Sequence, residues 1–234
     1  MKIAAIADLH CRQNSEGAIR PLLDGVEEAA DALVLAGDLT DTGLREEITV
    51  LENELAGLDL PIIAVLGNHD HESDQADALT EMLCKIGVQV LDGTVCEVGD
   101  VGFVGTKGFC GGFDDLFIHP FGERALKTFI QASLDEAVRL ENALVKLRCP
   151  HKIAVLHYAP IKETLVGEPL ELYPFLGSSR LANALDRHHV DAIFHGHAHH
   201  GSPAGHTAGG TPVYNVCRFV RASRGERPYH LLEI

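Results

Sequence analysis

Five short apolar runs recur along the chain, and each breaks off into polar residues. They are KIAAIA (2–7) before DLH, ALVLA (32–36) before GD, PIIAVL (61–66) before GNHD, KIAVL (152–156) before HYAP and VDAIF (190–194) before HGHAHH. Runs this short, aliphatic and β-branched predict buried strands. Between them, apolar positions fall at helical spacing. In 43–58 they are Leu44, Ile48, Leu51, Leu55 and Leu58, with Gly57 as terminator. In 121–148 they are Leu126, Phe129, Ile130, Leu134, Val138, Leu140 and Leu144, before Cys149-Pro150 stops the run. Shorter helices are predicted over 75–86 and 178–187, the latter entered through Ser178-Ser179. Alternating strands and helices imply parallel strands joined by crossovers, so the polar exits of all five runs share one edge of a sheet.

The segment 93–109 holds two β runs around Gly99-Asp100, a hairpin signal, and TPVYNVC (211–217) and PYHLLEI (228–234) add further strands. That is too many strands for one doubly wound sheet. Two packed sheets with helices outside are expected, in a single domain over 1–234, with the glycine-rich stretch 201–212 as a loop.

Charge narrows the partners. The chain carries 34 acidic against 19 basic residues, a net charge of −15, and has no Lys/Arg run. Duplex nucleic acid, whose binding needs a basic face, is therefore not expected as a partner. No window approaches the ~20 apolar residues that span a bilayer, and the opening run stops at Asp8 without a cleavage pattern. The expectation is a cytoplasmic protein with no membrane partner. The six cysteines lack CxxC spacing and read as reduced thiols, several of them buried.

Taken together, the polar exits offer Asp8, His10, Asp38, Asn68, His157, His197 and His199. Two carboxylates, one amide oxygen and four imidazoles exceed the needs of one four-coordinate ion and suit two ions sharing a carboxylate. Alternate residues of an extended segment face the same side, roughly 6.5–7 Å apart. Asp8 and His10 can thus chelate one ion, and His197 and His199 can reach two ions ~3.5–4 Å apart. Helix capping is the competing reading for Asp8, Asp38 and Asn68. Gly37, Gly67 and Gly196 precede ligands where the backbone is expected to turn sharply. So imidazole-rich a set disfavours calcium and magnesium. It admits manganese, iron, zinc or cobalt, with manganese or iron preferred.

The ordered set Asp8-Leu9-His10, Gly37-Asp38, Gly67-Asn68-His69-Asp70, His157 and Gly196-His197-Ala198-His199 resembles the calcineurin-like metallophosphoesterase superfamily across residues 8–199. The resemblance implies a four-layer α/β/β/α sandwich, two mixed sheets flanked by helices, with a binuclear centre at the carboxyl edge. It assigns Asp8, His10, Asp38 and His199 to one metal, and Asp38, Asn68, His157 and His197 to the other. It also implies that His69 contacts the phosphate and protonates the leaving oxygen, held by an acidic partner. Asp41 matches the family aspartate in that role, and Asp70 is the competing candidate.

Two divalent ions, two carboxylates and a bridging hydroxide leave one surplus positive charge, enough to draw in a phosphoryl group and hydrolyse a P–O bond. Thr42 stands where the protein phosphatases of the superfamily carry an arginine, so a protein phosphatase is not expected. The Gly67-Asn68-His69-Asp70 form with an intact Asp8-Leu9-His10 resembles the superfamily's bacterial phosphodiesterases, which implies a small, nucleotide-like phosphodiester as substrate. A phosphomonoester is the alternative, and a non-catalytic interaction scaffold on the same fold is the alternative of another class. Arg12, Lys107, Arg218 and Arg221 are candidates to steady phosphate. Residues 107–130 and 158–180 are expected to shape the pocket. The Phe/Gly-rich stretch 108–123 is open between pocket wall, ordinary core and a homodimer contact.

Overall fold

A computed structural model describes all residues from 1 to 234. The five apolar runs are strands: β1 (Lys2–Ile6), β2 (Ala32–Ala36), β3 (Ile62–Val65), β7 (His151–Val155) and β8 (Ala192–His195). The predicted hairpin is β5 (Thr94–Val98) with β6 (Val101–Gly105), and the carboxyl-terminal runs give β10 (Pro212–Asn215) and β11 (His230–Glu233). Two short strands were not foreseen: β4 (Gln89–Val90), and β9 (Ala204–His206) inside the stretch read as a loop. Backbone pairing with β10 holds β9 extended, and an AGH tripeptide carries no periodic signal for this.

The strands form two sheets, ordered β11-β1-β2-β3-β4 and β5-β6-β7-β8-β10-β9. Pairs β1–β2, β2–β3, β6–β7 and β7–β8 are parallel, while β11 and β5 close their edges antiparallel. Alternate side chains decide the layers. Ile3, Ala5, Val34 and Ile63 point inward against Phe103, Ile153, Val155 and Phe194 of the second sheet. Ala4, Ile6, Leu33, Leu35 and Ala64 point outward.

The outward face of the first sheet is covered by α1 (Val26–Ala29), α2 (Arg45–Leu55) and α3 (Ala76–Lys85). That of the second is covered by α4 (Arg124–Leu144) and α6 (Ser179–His188). The result is the expected four-layer sandwich. Two more short helices, α5 (Tyr173–Leu176) and α7 (Arg218–Ser223), lie in the connections and are too brief to show a helical period. No helix is long and apolar enough to cross a membrane.

Two helices also brace the functional edge through buried carboxylates. Glu47 of α2 accepts from the backbone N–H of Thr42 and Leu44 and from the Thr42 hydroxyl, which fixes the loop after β2. Glu136 of α4 accepts from the Thr106 hydroxyl and Gly108 N–H at the end of β6. Cys11, Cys110 and Cys217 are buried, unpaired thiols.

Candidate metal centre

All seven exit residues meet at the carboxyl edge shared by the sheets. Asp8, His10, Asp38 and His199 place one donor atom each within 4.8 Å of one another, and Asp38, His157 and His197 do the same. Asp38 belongs to both groups. Asn68 joins the second: its Oδ1 lies 2.9 Å from His157 Nε2, which is also 3.3 Å from Asp38 Oδ1.

The donor set fits cations on its own chemistry. His157 donates Nδ1–H to the Ala36 carbonyl at 3.0 Å, so its Nε2 lone pair confronts two oxygen acceptors. Without a cation, that contact requires an added proton. Burial opposes the proton, but Asp38 and Asp8 prevail and raise the His157 pKa to about 9. Around the first group, Nε2 of His10 and of His199 approach to 3.4 Å, with Asp8 Oδ1 3.1 Å from the latter. Burial lowers the pKa of His197 to about 3, aided by the charge on His157, and burial also lowers His10. These two rings stay neutral and keep a lone pair to give. Asp8 and Asp38 sit below the ordinary carboxylate range despite burial, through His199 and His157 respectively.

The backbone is bent to aim these groups. Asp8, His10, Asp38 and His197 all have left-handed φ, between 45° and 67°. For side-chain-bearing residues this costs of order 1–3 kcal/mol each and persists only where the surroundings impose it. The three glycines differ in their reasons. Gly37 takes a left-handed turn at φ 86°, as expected. Gly67 and Gly196 have no positive φ and are required by close approach instead: a Cβ on Gly196 would lie 2.6 Å from Ala7 Cβ and from Asp8 Oδ2.

Neither carboxylate considered as the partner of His69 meets its ring. The contact comes from the main-chain carbonyl of Asp41, 2.6 Å from His69 Nδ1. The Asp41 carboxylate turns to Arg12 Nε at 2.8 Å and to His10 Nδ1 at 3.3 Å. Asp70 is fully buried and accepts from Leu39 N, Thr40 N, Thr40 Oγ1 and Gly67 N, tying the loop after β2 to the loop after β3. Its lone pairs are committed there. A carbonyl partner has no sequence signature, which is why residue type alone pointed to the side chains.

A cavity of about 530 Å3 opens beside the first group, lined by His10, Arg12, Asn14, Ser15, Asp41, His199, Arg218 and Phe219. A second, of about 410 Å3, adjoins it through His199 and Phe219 and runs along α7.

Residues 1–201 match the profile of the family described as calcineurin-like phosphoesterase. The chain belongs to that family. Over 65 residues it is 32% identical to glycerophosphodiester phosphodiesterase GpdQ of Enterobacter lignolyticus, a stretch covering 28% of this chain and 23% of that protein. One solved structure superimposes with a TM-score of 0.62 at 16% identity, over 99% of this chain and 98% of its own. A Staphylococcus aureus protein described as a candidate 5'-nucleotidase, in complex with alpha-ketoglutarate, aligns with a TM-score of 0.52 at 13% identity. That alignment covers 92% of this chain and 48% of the neighbour.

Of the four cations expected to steady phosphate, Arg12 and Arg218 line the cavity beside the first donor group. Arg221 is buried and spent on the Arg227 carbonyl and Glu226. Lys107 folds back onto the Gly108 carbonyl and the rings of Phe109 and Tyr158. The cavity walls come from the loops after β1, β2 and β8 and from α7, not from 107–130 or 158–180. Those segments reach the centre only at its second group, where Tyr158 packs 4.4 Å from the His197 ring and the Phe175 carbonyl lies 3.4 Å from His197 Nε2. The Phe/Gly-rich stretch is divided. Phe113 packs in the interior, Phe109 is half-buried against the core, Phe117 lies under Arg180, and Phe121 is exposed.

Proposed function

We propose that this phosphoesterase hydrolyses a small, nucleotide-like phosphodiester at two divalent cations that share Asp38. The observation that carries the reading is the pair of donor groups with one carboxylate in common. Asp8, His10, Asp38 and His199 would hold one cation, and Asp38, Asn68, His157 and His197 the other; mixed imidazole and oxygen donors admit manganese, iron, zinc or cobalt, of which we favour manganese or iron. When bound, such a pair acidifies water and neutralises charge developing on phosphoryl oxygens. The side chains around it fix geometry. The Ala36 carbonyl holds His157 in one tautomer, the outer contact that orients a ligating imidazole, while the Asp41 carboxylate lies 3.3 Å from His10 Nδ1 without a hydrogen bond.

His69 is the proton donor to the leaving oxygen. With Nδ1–H given to the Asp41 carbonyl, its Nε2 remains free, 4.0 Å from Asp38 Oδ2, and the side chain is 35% exposed. Two adjoining cavities meeting at His199 and Phe219 support a substrate with two arms, as does the likeness to a phosphodiesterase over 65 residues.

The test is kcat/KM of the manganese-loaded enzyme for bis-p-nitrophenyl phosphate against p-nitrophenyl phosphate. The bis-ester is expected to be preferred, and clear preference for the monoester would replace this reading with a phosphomonoesterase. His69→Ala is expected to lower kcat by about 10²–10⁴-fold with metal content unchanged, measured by plasma emission.

A further inference from the structure

The cavity beside the first donor group holds a charge arrangement that hydrolysis itself does not use. Two guanidiniums line it, and their situations differ. Arg12 is neutralised by Asp41, with Nε 2.8 Å from Oδ2 and a terminal nitrogen 3.5 Å from Oδ1. Arg218, at the start of α7, has no carboxylate partner. Its Nε donates to the main-chain carbonyl of Asp8 at 2.9 Å, and its guanidinium carbon lies 4.5 Å from the centroid of the Phe219 ring. One bond and one ring thus fix the group while both terminal NH2 groups stay unpaired. Seven of the eight lining residues are polar, and the eighth, Phe219, is 38% exposed. A planar, fixed guanidinium with two free NH2 groups is suited to grip phosphate oxygens.

The cavity is lined by His10 and His199 of the first donor group and by none of Asn68, His157 and His197. Arg218 therefore flanks the centre rather than spanning it. We propose that Arg218 determines specificity by binding a second phosphate group, carried on one arm of the diester. This inference rests on the diesterase reading.

Calorimetry on the manganese-loaded protein compares thymidine 5′-monophosphate with thymidine 3′,5′-bisphosphate. The wild type is expected to bind the bisphosphate about tenfold more tightly or better, the worth of a charge-assisted contact. Arg218→Gln is expected to bring that ratio near one, and Arg218→Lys to keep part of it. A wild-type ratio near one overturns the proposal without any variant. An Arg218→Gln protein that keeps the preference, or weakens both ligands equally, also overturns it, the latter by placing the guanidinium on the shared phosphate. The p-nitrophenyl 5′-esters of the same two nucleotides are assayed alongside. Release of p-nitrophenol from neither would sink the diesterase reading, while the binding ratio still decides the role of Arg218.

Discussion

Asp38→Asn removes the one carboxylate common to both donor groups, and the structure predicts how much cation-dependent stability should go with it. Asp38 is 1% exposed, its Oδ1 is 3.3 Å from His157 Nε2 and its Oδ2 is 3.8 Å from His10 Nε2. No other acidic side chain belongs to both groups. A ligand that binds only the folded chain stabilises it by about 2.7 kcal/mol at a hundredfold excess over Kd. In a chain of 234 residues, each kcal/mol moves Tm by about 2–4 °C. Each site then contributes about 5–10 °C, and the two together about twice that. The assay is differential scanning calorimetry of each protein with chelator and with excess manganese, read as the difference within each protein so that changes in the chelated baseline cancel. The wild type should gain both increments, and His197→Ala or His199→Ala one each. Asp38→Asn should gain close to none. If Asp38→Asn kept the full manganese shift, or His199→Ala alone abolished it, the reading of two sites joined at Asp38 would be wrong.

Two further outcomes follow from the same geometry. Asp70→Asn presents an NH2 to a ring of donors that now share a carboxylate, leaving at least one buried N–H unsatisfied, at about 1–3 kcal/mol. Tm should fall by about 2–12 °C with no change in the shape of the pH–rate profile. A displaced profile with unchanged Tm would make Asp70 a proton-transfer group rather than a strut. The second concerns His157 in chelated protein. Its folded pKa is raised from 6.5 to about 9, so the stability this shift contributes is complete below pH 6.5 and is lost as pH rises toward 9. Chemical denaturation of chelated wild type should show that decline, and Asp38→Asn, lacking the charge that raises the pKa, should not.

The sequence by itself determined the layers and the identity of the converging groups. Apolar runs of five or six residues, rich in aliphatic and β-branched side chains and ended by polar residues, are too short for buried helices and pack as strands. Because βαβ crossovers put parallel strand ends at one edge, any residue directly following such a run is delivered there. Residues as far apart as Asp8 and His199 therefore share that edge through strand order alone. What periodicity and spacing do not encode is direction once a chain leaves its strand. Asp41 and Asp70 are the same residue type in neighbouring loops. One faces Arg12 and His10, while the other is drawn inward by four donors that exist only after the loops behind β2 and β3 have met. His69 found a carbonyl where a carboxylate was expected, since every residue carries a carbonyl and none advertises it. The cavity wall came from a six-residue helix far along the chain, α7, because Arg218 reaches back 210 residues to the Asp8 carbonyl. Contacts between segments with no shared local pattern are decided by packing in three dimensions, and there the tertiary structure had the only vote.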